Sequence, residues 1–295
     1  MHCGYVALIG RPNVGKSTLM NHLLGQKLSI TSRKPQTTRH RILGIKTTDA
    51  GQAIFMDTPG MHGDEKRVLN RFLNKTADST LLGVDLVLWL LDGLYWHEYD
   101  ERIFKKLEQA GLPVILVVNK VDKIKDKQAI LAFFAEAQKR YPFEQIVPVS
   151  ALKNNNLDVL EQHIMALLPE ADPIYPEDQI TDRPERFFAA EIVREKLTRR
   201  LGDELPYALT VDIERFEEHP ELSKIYANIW VERSSQKSIV IGKQGEMLKK
   251  IGTEARIDIE KLLGHKVYLQ LWVKVKKGWS DNERALQSLG FLDTE

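Results

Sequence analysis

The residues with the most specific chemistry stand near the amino end, in Gly10-Arg-Pro-Asn-Val-Gly-Lys-Ser17. Two glycines at this spacing let backbone N–H groups approach a chain of phosphates, the lysine reaches the terminal ones, and the serine hydroxyl suits magnesium. An ordinary glycine-rich turn is the competing reading. It is weakened by the apolar run before the loop and the amphipathic stretch after it. The expected contacts are Gly10, Arg11, Pro12, Asn13, Val14, Gly15, Lys16, Ser17 and Thr18. A second cluster, Asp57-Thr58-Pro59-Gly60 with Met61 after it, closes the apolar run 53–56. Asp57 is expected to hold magnesium through water, and the Gly60 N–H to sense a terminal phosphate. The third cluster, Asn119-Lys120-Val121-Asp122, closes the apolar run 114–118. Its aspartate can accept two hydrogen bonds from the ring N–H and exocyclic amine of guanine. Adenine offers no matching donors, and a buried carboxylate left unpaired is costly, so discrimination on the order of 10⁴-fold follows. Alone, this tetrapeptide could be a charged loop; as the third of an ordered series it is specific.

The elements that must position these loops alternate. Strands are expected at 5–9, 53–56, 86–91, 114–118 and 146–149, and helices at 16–24, 64–80, 100–110, 126–141 and 157–168. Such alternation predicts an α/β fold with a mostly parallel sheet covered on both faces, whose ligands bind beyond the carboxyl ends of the strands. Pro169, Pro173, Pro176 and Pro184 then crowd a stretch that neither a helix nor a central strand tolerates. The expected organisation is a nucleotide domain over 1–170, a semi-rigid proline-rich linker over 171–185 and a second domain over 186–295. That domain should hold a helix at 187–201, strands at 207–215 and 225–231, a glycine-containing turn, a helix at 247–263 and a strand at 267–276.

The turn reads Ile241-Gly242-Lys243-Gln244-Gly245 and leads into the amphipathic stretch 247–263. A Gly-x-x-Gly turn before a helix can clamp about four nucleotides of single-stranded RNA. Two glycines three apart are common, but here Lys243, Lys249 and Lys250 adjoin the loop, while Arg233, Lys237, Lys274, Lys276 and Lys277 are placed on or beside neighbouring strands. Residues 233–277 hold eleven Lys/Arg against four Asp/Glu, whereas 203–221 hold seven acids against one base. The first segment is a candidate footprint for an anion and the second is expected to face away from it. A solvated basic face is the alternative, and it fits Lys261 and Lys266. Trp230 and Trp272 are read as core residues rather than stacking platforms, and Trp279 is left open.

Phosphate loop, Gln36-Thr-Thr-Arg-His40, Asp-Thr-Pro-Gly, Asn-Lys-Val-Asp and Val149-Ser-Ala151 follow one another in the order seen in the translation-factor class of GTPases. With the C-terminal turn, the Thr181-Asp-Arg segment and the ending Trp272-Val-Lys-Val-Lys-Lys-Gly-Trp279, the whole chain resembles the Era family of ribosome-assembly GTPases. That resemblance implies a P-loop GTPase domain followed by an α+β type II KH domain. It implies Thr38 as the threonine that completes the magnesium shell, with Thr37 the lesser choice, and Ser150-Ala151 as guanine contacts. Catalysis would rest on Lys16, Thr38 and Gly60. The implied partners are the three-prime end of small-subunit ribosomal RNA and the small ribosomal subunit, with peripheral contact to the cytoplasmic membrane face. Met61 stands where Ras-like enzymes carry a water-orienting glutamine, so unaided turnover should be slow. Asn13 is either a potassium ligand, as in relatives with asparagine there, or a turn former. The expected cofactors are magnesium with GTP or GDP, and potassium on the first of those readings.

Composition closes off other classes. The chain has 295 residues with 43% hydrophobic and 28% charged, which is globular rather than disordered composition. A single cysteine, Cys3, allows no intrachain disulfide and no cysteine-based zinc cluster, the eight histidines show no metal-ligand spacing, and a reducing compartment fits. Neither a signal peptide nor an apolar run near the roughly 18 residues of a membrane span is legible, so a cytoplasmic location is expected; a monomer is the expected form.

Overall fold

The computed structural model describes residues 1–32, 34, 37–59, 83–202, 205–282 and 286–287. The expected helix 64–80, together with Gly60, Met61 and Gln36, lies outside the described residues. The chain forms two units. Among the described residues, the first comprises 1–29, 38–59 and 83–182, and the second comprises 183 onward with residues 30–32, 34 and 37.

The first unit is built on a six-stranded sheet of β1 (His2–Ile9), β2 (Ile42–Thr48), β3 (Gly51–Asp57), β4 (Leu86–Asp92), β5 (Val114–Asn119) and β6 (Gln145–Pro148), in the order β2-β3-β1-β4-β5-β6. All neighbours are parallel except β2 with β3. Strand β2 is absent from the sequence reading. It is an antiparallel edge strand turned back on β3 through Asp49 and Ala50, which strand-helix alternation does not announce. The interior strands β3, β4 and β5 are buried almost throughout and largely apolar, with Gln52 and Asp57 the polar exceptions within β3, because both faces are covered, as parallel sheets require. Helices α1 (Lys16–Leu24), α2 (Glu98–Ala110), α3 (Lys127–Arg140) and α4 (Leu157–Leu167) follow strands. Around Trp89, the rings of Trp96, Phe104 and Phe143 pack at centroid distances of 4.6–6.0 Å. Cys3 is simply a buried residue of β1.

The proline-containing stretch after α4 does not leave the sheet at once. Cys3 N–H donates to the Pro169 carbonyl, Ala171 N–H to Met1, and Ile45 N–H to Ile180, while the Thr181 hydroxyl donates to the Leu43 carbonyl. The centre of this strap is Gln52, fully buried on β3: its side-chain oxygen accepts from Ile174 N–H (2.9 Å) and Tyr175 N–H (3.0 Å), and its amide donates to the Tyr175 carbonyl (2.8 Å). Proline here stiffens a segment that is already bound along the sheet.

The second unit runs α5 (Glu185–Arg200), β7 (Leu209–Glu217), β8 (Leu222–Val231), α6 (Ser234–Ile241), α7 (Glu246–Leu263) and β9 (Lys266–Val275). Its sheet has the order β7-β8-β9, with β7 antiparallel and β9 parallel to β8. Helix α6 is a correction: the reading has only a turn there, because its eight residues begin with polar Ser-Ser-Gln-Lys and bury only Val240. Lys237, read as on or beside a strand, therefore lies on this helix. The three helices cover one sheet face, where Ile225, Ala227, Ile229 and Val231 of β8 meet Val193, Leu197, Ile251 and Ala255.

Replacing Gln52 by alanine strands two backbone donors and one acceptor of the strap in a buried place. We expect a loss of roughly 2–4 kcal/mol in denaturant unfolding, with limited proteolysis newly cutting within 171–182. An unchanged midpoint would show that the strap is held elsewhere.

Candidate nucleotide-binding site

The loops after β1, β3, β5 and β6 all lie at the carboxyl edge of the sheet, where ligands of such folds bind. The first loop turns on Gly10 (φ 142°), Asn13 (φ 64°) and Gly15 (φ 108°) before α1 begins at Lys16. A side chain at Gly15 would stand 2.2 Å from the Asn119 side-chain nitrogen, and one at Gly10 would stand 2.6 Å from the Leu90 carbonyl. The glycines thus serve close packing of this loop against the ends of β4 and β5. The Lys16 ammonium donates to the carbonyls of Gly10 (2.8 Å) and Arg11 (3.1 Å), lying along the loop it serves. Burial pulls Lys16 down from 10.5 to about 8, and the Asp57 carboxylate offsets this only in part.

Asp57 ends β3, fully buried. Its Oδ2 accepts from the Thr38 hydroxyl (3.3 Å), the Thr38 and Ser17 hydroxyls are 2.9 Å apart, and among the described residues its Oδ1 has no hydrogen-bond partner. Desolvation raises its pKa, opposed by hydroxyl donors and by Lys16. A buried carboxylate with an unpartnered oxygen, facing two hydroxyls, is the donor set a small hard cation takes, so the residues present fit magnesium. The Thr37 hydroxyl donates to the Lys34 carbonyl at 2.7 Å. Thr58 turns inward, donating to the Leu8 carbonyl at 3.2 Å. Arg11 is drawn aside towards Asp100 in the first turn of α2, with Nε 3.3 Å from the carboxylate. Among the described residues no group of three His, Cys, Asp or Glu side chains gathers as a metal cluster.

Asn119 joins the loops. Its amide donates to the Val14 carbonyl (2.8 Å), and its oxygen accepts from Lys120 N–H (2.8 Å) and Ala151 N–H (3.0 Å). Lys120, in the left-handed region at φ 64°, donates to the Asn13 carbonyl at 2.7 Å and pairs with Asp92. Val121 N–H donates to the Val149 carbonyl (3.2 Å), and the Ser150 hydroxyl donates to Asp122 Oδ1 (2.6 Å). One Asp122 oxygen is thereby oriented from below while the side chain stays exposed. The structure thus brings together Gly10 to Thr18, Thr38, Asp57, Asn119 to Asp122 and the Ser150-Ala151 pair. Sequence reasoning misses Asp92 and Asp100, whose only signal is an acid ending β4 and another in the first turn of α2.

In the second unit, α6 ends at Gly242 (φ 74°, ψ 177°), Gln244 sits at φ 52°, and Gly245 (φ 80°) caps α7. Lys243, Gln244, Lys249 and Lys250 are exposed around this turn, and Lys237 is half-buried on α6. Lys274 is not at the turn: it lies on the open face of β9, paired with Glu214 at 3.2 Å. Trp272 is 53% exposed on that face, contrary to its reading as core, whereas Trp279 is fully buried and donates to the Ala208 carbonyl.

Fold and site together define a P-loop GTPase domain joined to a KH domain. Models of two families match accordingly: 50S ribosome-binding GTPase over residues 5–120, and KH domain over residues 204–280. Relatives named GTPase Era share 56% identity over 294 residues in Vibrio cholerae (99% of this chain, 90% of the relative) and 56% over 291 residues in Marinobacter nauticus (99% and 95%). Two solved structures agree along the whole chain at TM-score 0.95. One is Era in complex with MgGDPNP and nucleotides 1506–1542 of 16S ribosomal RNA, 43% identical and covering 99% of both chains. The other is a single-substitution variant of Aquifex aeolicus Era bound to GDP·AlF4⁻, 42% identical with the same coverage. The chain belongs to the Era family of GTPases.

Gly15→Ala forces Asn119 off the Val14 carbonyl and strains φ, so guanine-nucleotide affinity should fall by about a hundredfold or more in a fluorescent-nucleotide displacement assay. The depressed pKa of Lys16 has a definite sign. Below about pH 8 the buried ammonium is charged and the folded state carries its desolvation cost; that cost disappears as pH rises from about 8 to 10.5, where the unfolded chain binds more protons. A bound triphosphate restores the charge. Nucleotide binding near pH 9 should therefore take up a proton, with affinity falling up to about tenfold per unit above pH 8. Calorimetry in buffers of different ionisation enthalpy reads this directly, and buffer-independent heats would refute it.

Proposed function

We propose that this GTPase binds guanine nucleotide with magnesium in the loops just described and uses the bound state to govern how its KH domain holds small-subunit ribosomal RNA, assisting assembly of that subunit. The observation that carries the nucleotide half is the Asn119 junction, which fixes the phosphate loop and the Asp122 and Ser150-Ala151 loops in one piece. In this reading Gly10 to Thr18 surround the phosphates, Ser17 and Thr38 ligate magnesium, and Asp57 holds it through water. When bound, magnesium neutralises charge on the β- and γ-phosphates. Lys16 reaches the terminal phosphates and Asp122 accepts the two guanine donors, with Ser150 holding it in line. Gly60 supplies a backbone donor and Met61 supplies no base, so water is positioned by backbone groups, by the γ-phosphate itself or by a partner, and unaided turnover is slow.

The RNA half rests on the exposed turn 242–245 with Lys243, Lys249 and Lys250 beside it, at the start of a long helix whose N-terminal N–H groups favour phosphate. The Era relative solved with 16S ribosomal RNA supports the choice of small-subunit RNA. The 50S in the name of the GTPase family model describes a match confined to residues 5–120 and bears on that domain alone. In this reading Asn13, whose φ of 64° fits a plain turn former equally well, ligates potassium, and exchange of potassium for sodium in a hydrolysis assay tests that role. The same reading has the protein acting as a cytoplasmic monomer with peripheral contact to the inner membrane face. Among the described residues no helix is long and apolar enough to cross a membrane.

Asp122→Asn replaces an acceptor by an amide that suits xanthine better than guanine. Affinity for GTP should drop on the order of 10³-fold while that for XTP rises. Lys243→Glu with Lys249→Glu, both exposed, should weaken binding of single-stranded RNA from the small-subunit three-prime end by about tenfold or more and flatten its salt dependence, leaving hydrolysis unchanged. Equal RNA affinity in a salt-titrated gel shift would remove the KH turn from the RNA site.

A further inference from the structure

The outward face of the KH sheet is the part of the molecule that the GTPase and turn assignments leave unused. Along β9 the residues alternate strictly: Val267, Leu269, Leu271 and Val273 point to the helices, and Tyr268, Gln270, Trp272 and Lys274 point away, followed on the same side by Lys276. Tyr268 is 47% exposed and Trp272 53%. Tyr268 keeps an edge contact with Tyr226 (6.2 Å between ring centroids) and donates to the Gln270 oxygen at 3.4 Å, but about half of it stays in water, and with Trp272 four residues on it forms a patch. The Trp272 indole makes no hydrogen bond or ring contact among the described residues. Trp230, by contrast, is committed: its N–H donates to Asp212, and Lys274 and Lys276 lie 5.6 and 5.7 Å from its ring centroid.

Charge on this face is graded. Strand β9 and the two residues after it carry Lys266, Lys274, Lys276 and Lys277 without an acid, and β8 carries Lys224 without an acid. The acids all stand on β7, as Asp212, Glu214 and Glu217. Lys274 is paired with Glu214 of β7 at 3.2 Å, and Lys266, Lys276 and Lys277 still leave the β9 side net positive, so an anionic ligand is attracted to it. The order ring, amide, ring, lysine, lysine offers stacking at Tyr268 and Trp272, roughly 13 Å apart by strand geometry. Between them stands the Gln270 amide, able to meet base edges, and the lysines meet phosphates beyond. A membrane-facing patch would gain nothing from an amide between its aromatics.

We propose that the β9 face, with Tyr268, Gln270, Trp272, Lys274 and Lys276, is a second contact surface for single-stranded RNA, holding nucleotides outside those clamped by the Gly242–Gly245 turn. It rests on the KH domain binding RNA. Two variants test it in the full-length protein: Tyr268→Ala with Trp272→Ala, and Trp272→Phe, both at exposed positions. Fluorescence anisotropy with single-stranded RNAs of about five and about fifteen nucleotides separates the surfaces, since the turn alone fills about four. The double variant should bind the short RNA as the unaltered protein does and lose about tenfold or more on the long one. Trp272→Phe, which keeps a stacking ring, should retain most of that affinity, and long RNA should quench tryptophan emission in the unaltered protein. Equal affinity of the double variant for the long RNA overturns the proposal. So does a defect confined to anionic phosphatidylserine vesicles, which would make the patch a lipid contact. Failure of the unaltered protein on both RNAs would remove the KH reading and this one together, whereas retention of short-RNA binding with no effect of the ring substitutions removes this one alone.

Discussion

The nucleotide site depends on one contact, the approach of the Asn119 amide to the backbone of the phosphate loop. The amide nitrogen occupies the space where a side chain at position 15 would be, and donates to the Val14 carbonyl. Its oxygen takes N–H donors from Lys120 and from Ala151. Three loops from three strands are thereby fixed by a neutral group that brings no net charge into a region already holding Lys16 and Asp57. A carboxylate there could not donate to Val14, and an aliphatic side chain could bind none of the three partners.

The burial of charge beside that junction has a cost. Lys16 and Asp57 are both out of water, each pushed toward its neutral form by desolvation and each partly restored by the other. Such a pair is costly in isolation and gains from a ligand that supplies the missing charges, anionic against the lysine and cationic against the aspartate. A magnesium-bound triphosphate does both. Stability withheld from the free protein in this way becomes available as binding energy when the nucleotide arrives.

The loops at the strand ends are legible in the sequence because backbone approach to phosphate, and a junction as tight as that at Gly15, admit few residue types in few orders. The alternation of parallel strand and helix is legible for the same reason of geometry. What escapes is structure without a periodic or compositional signature. Strand β2 lies at an edge and runs antiparallel beside a parallel sheet, and α6 is two turns long with a polar start and a glycine stop. Trp272 escapes differently: the parity of β9 already puts it on the side of Gln270 and the lysines, and the general preference of tryptophan for burial argues the opposite way and prevails when sequence alone is weighed. Asp92 and Asp100 carry no motif, since an acid at a strand end or helix start has many ordinary uses.

The strap over 171–182 also guards an exposed border. Strand β2 would otherwise present a free row of amide and carbonyl groups, the template on which sheets of separate molecules join. Ile45 N–H is instead taken by Ile180 and the Leu43 carbonyl by Thr181, while Gln52 anchors the approach to this seam from the neighbouring strand. The route by which the chain leaves its first unit is therefore also a hem, and its proline content, which denies N–H donors to any incoming strand, suits it to closing the border without offering a new one.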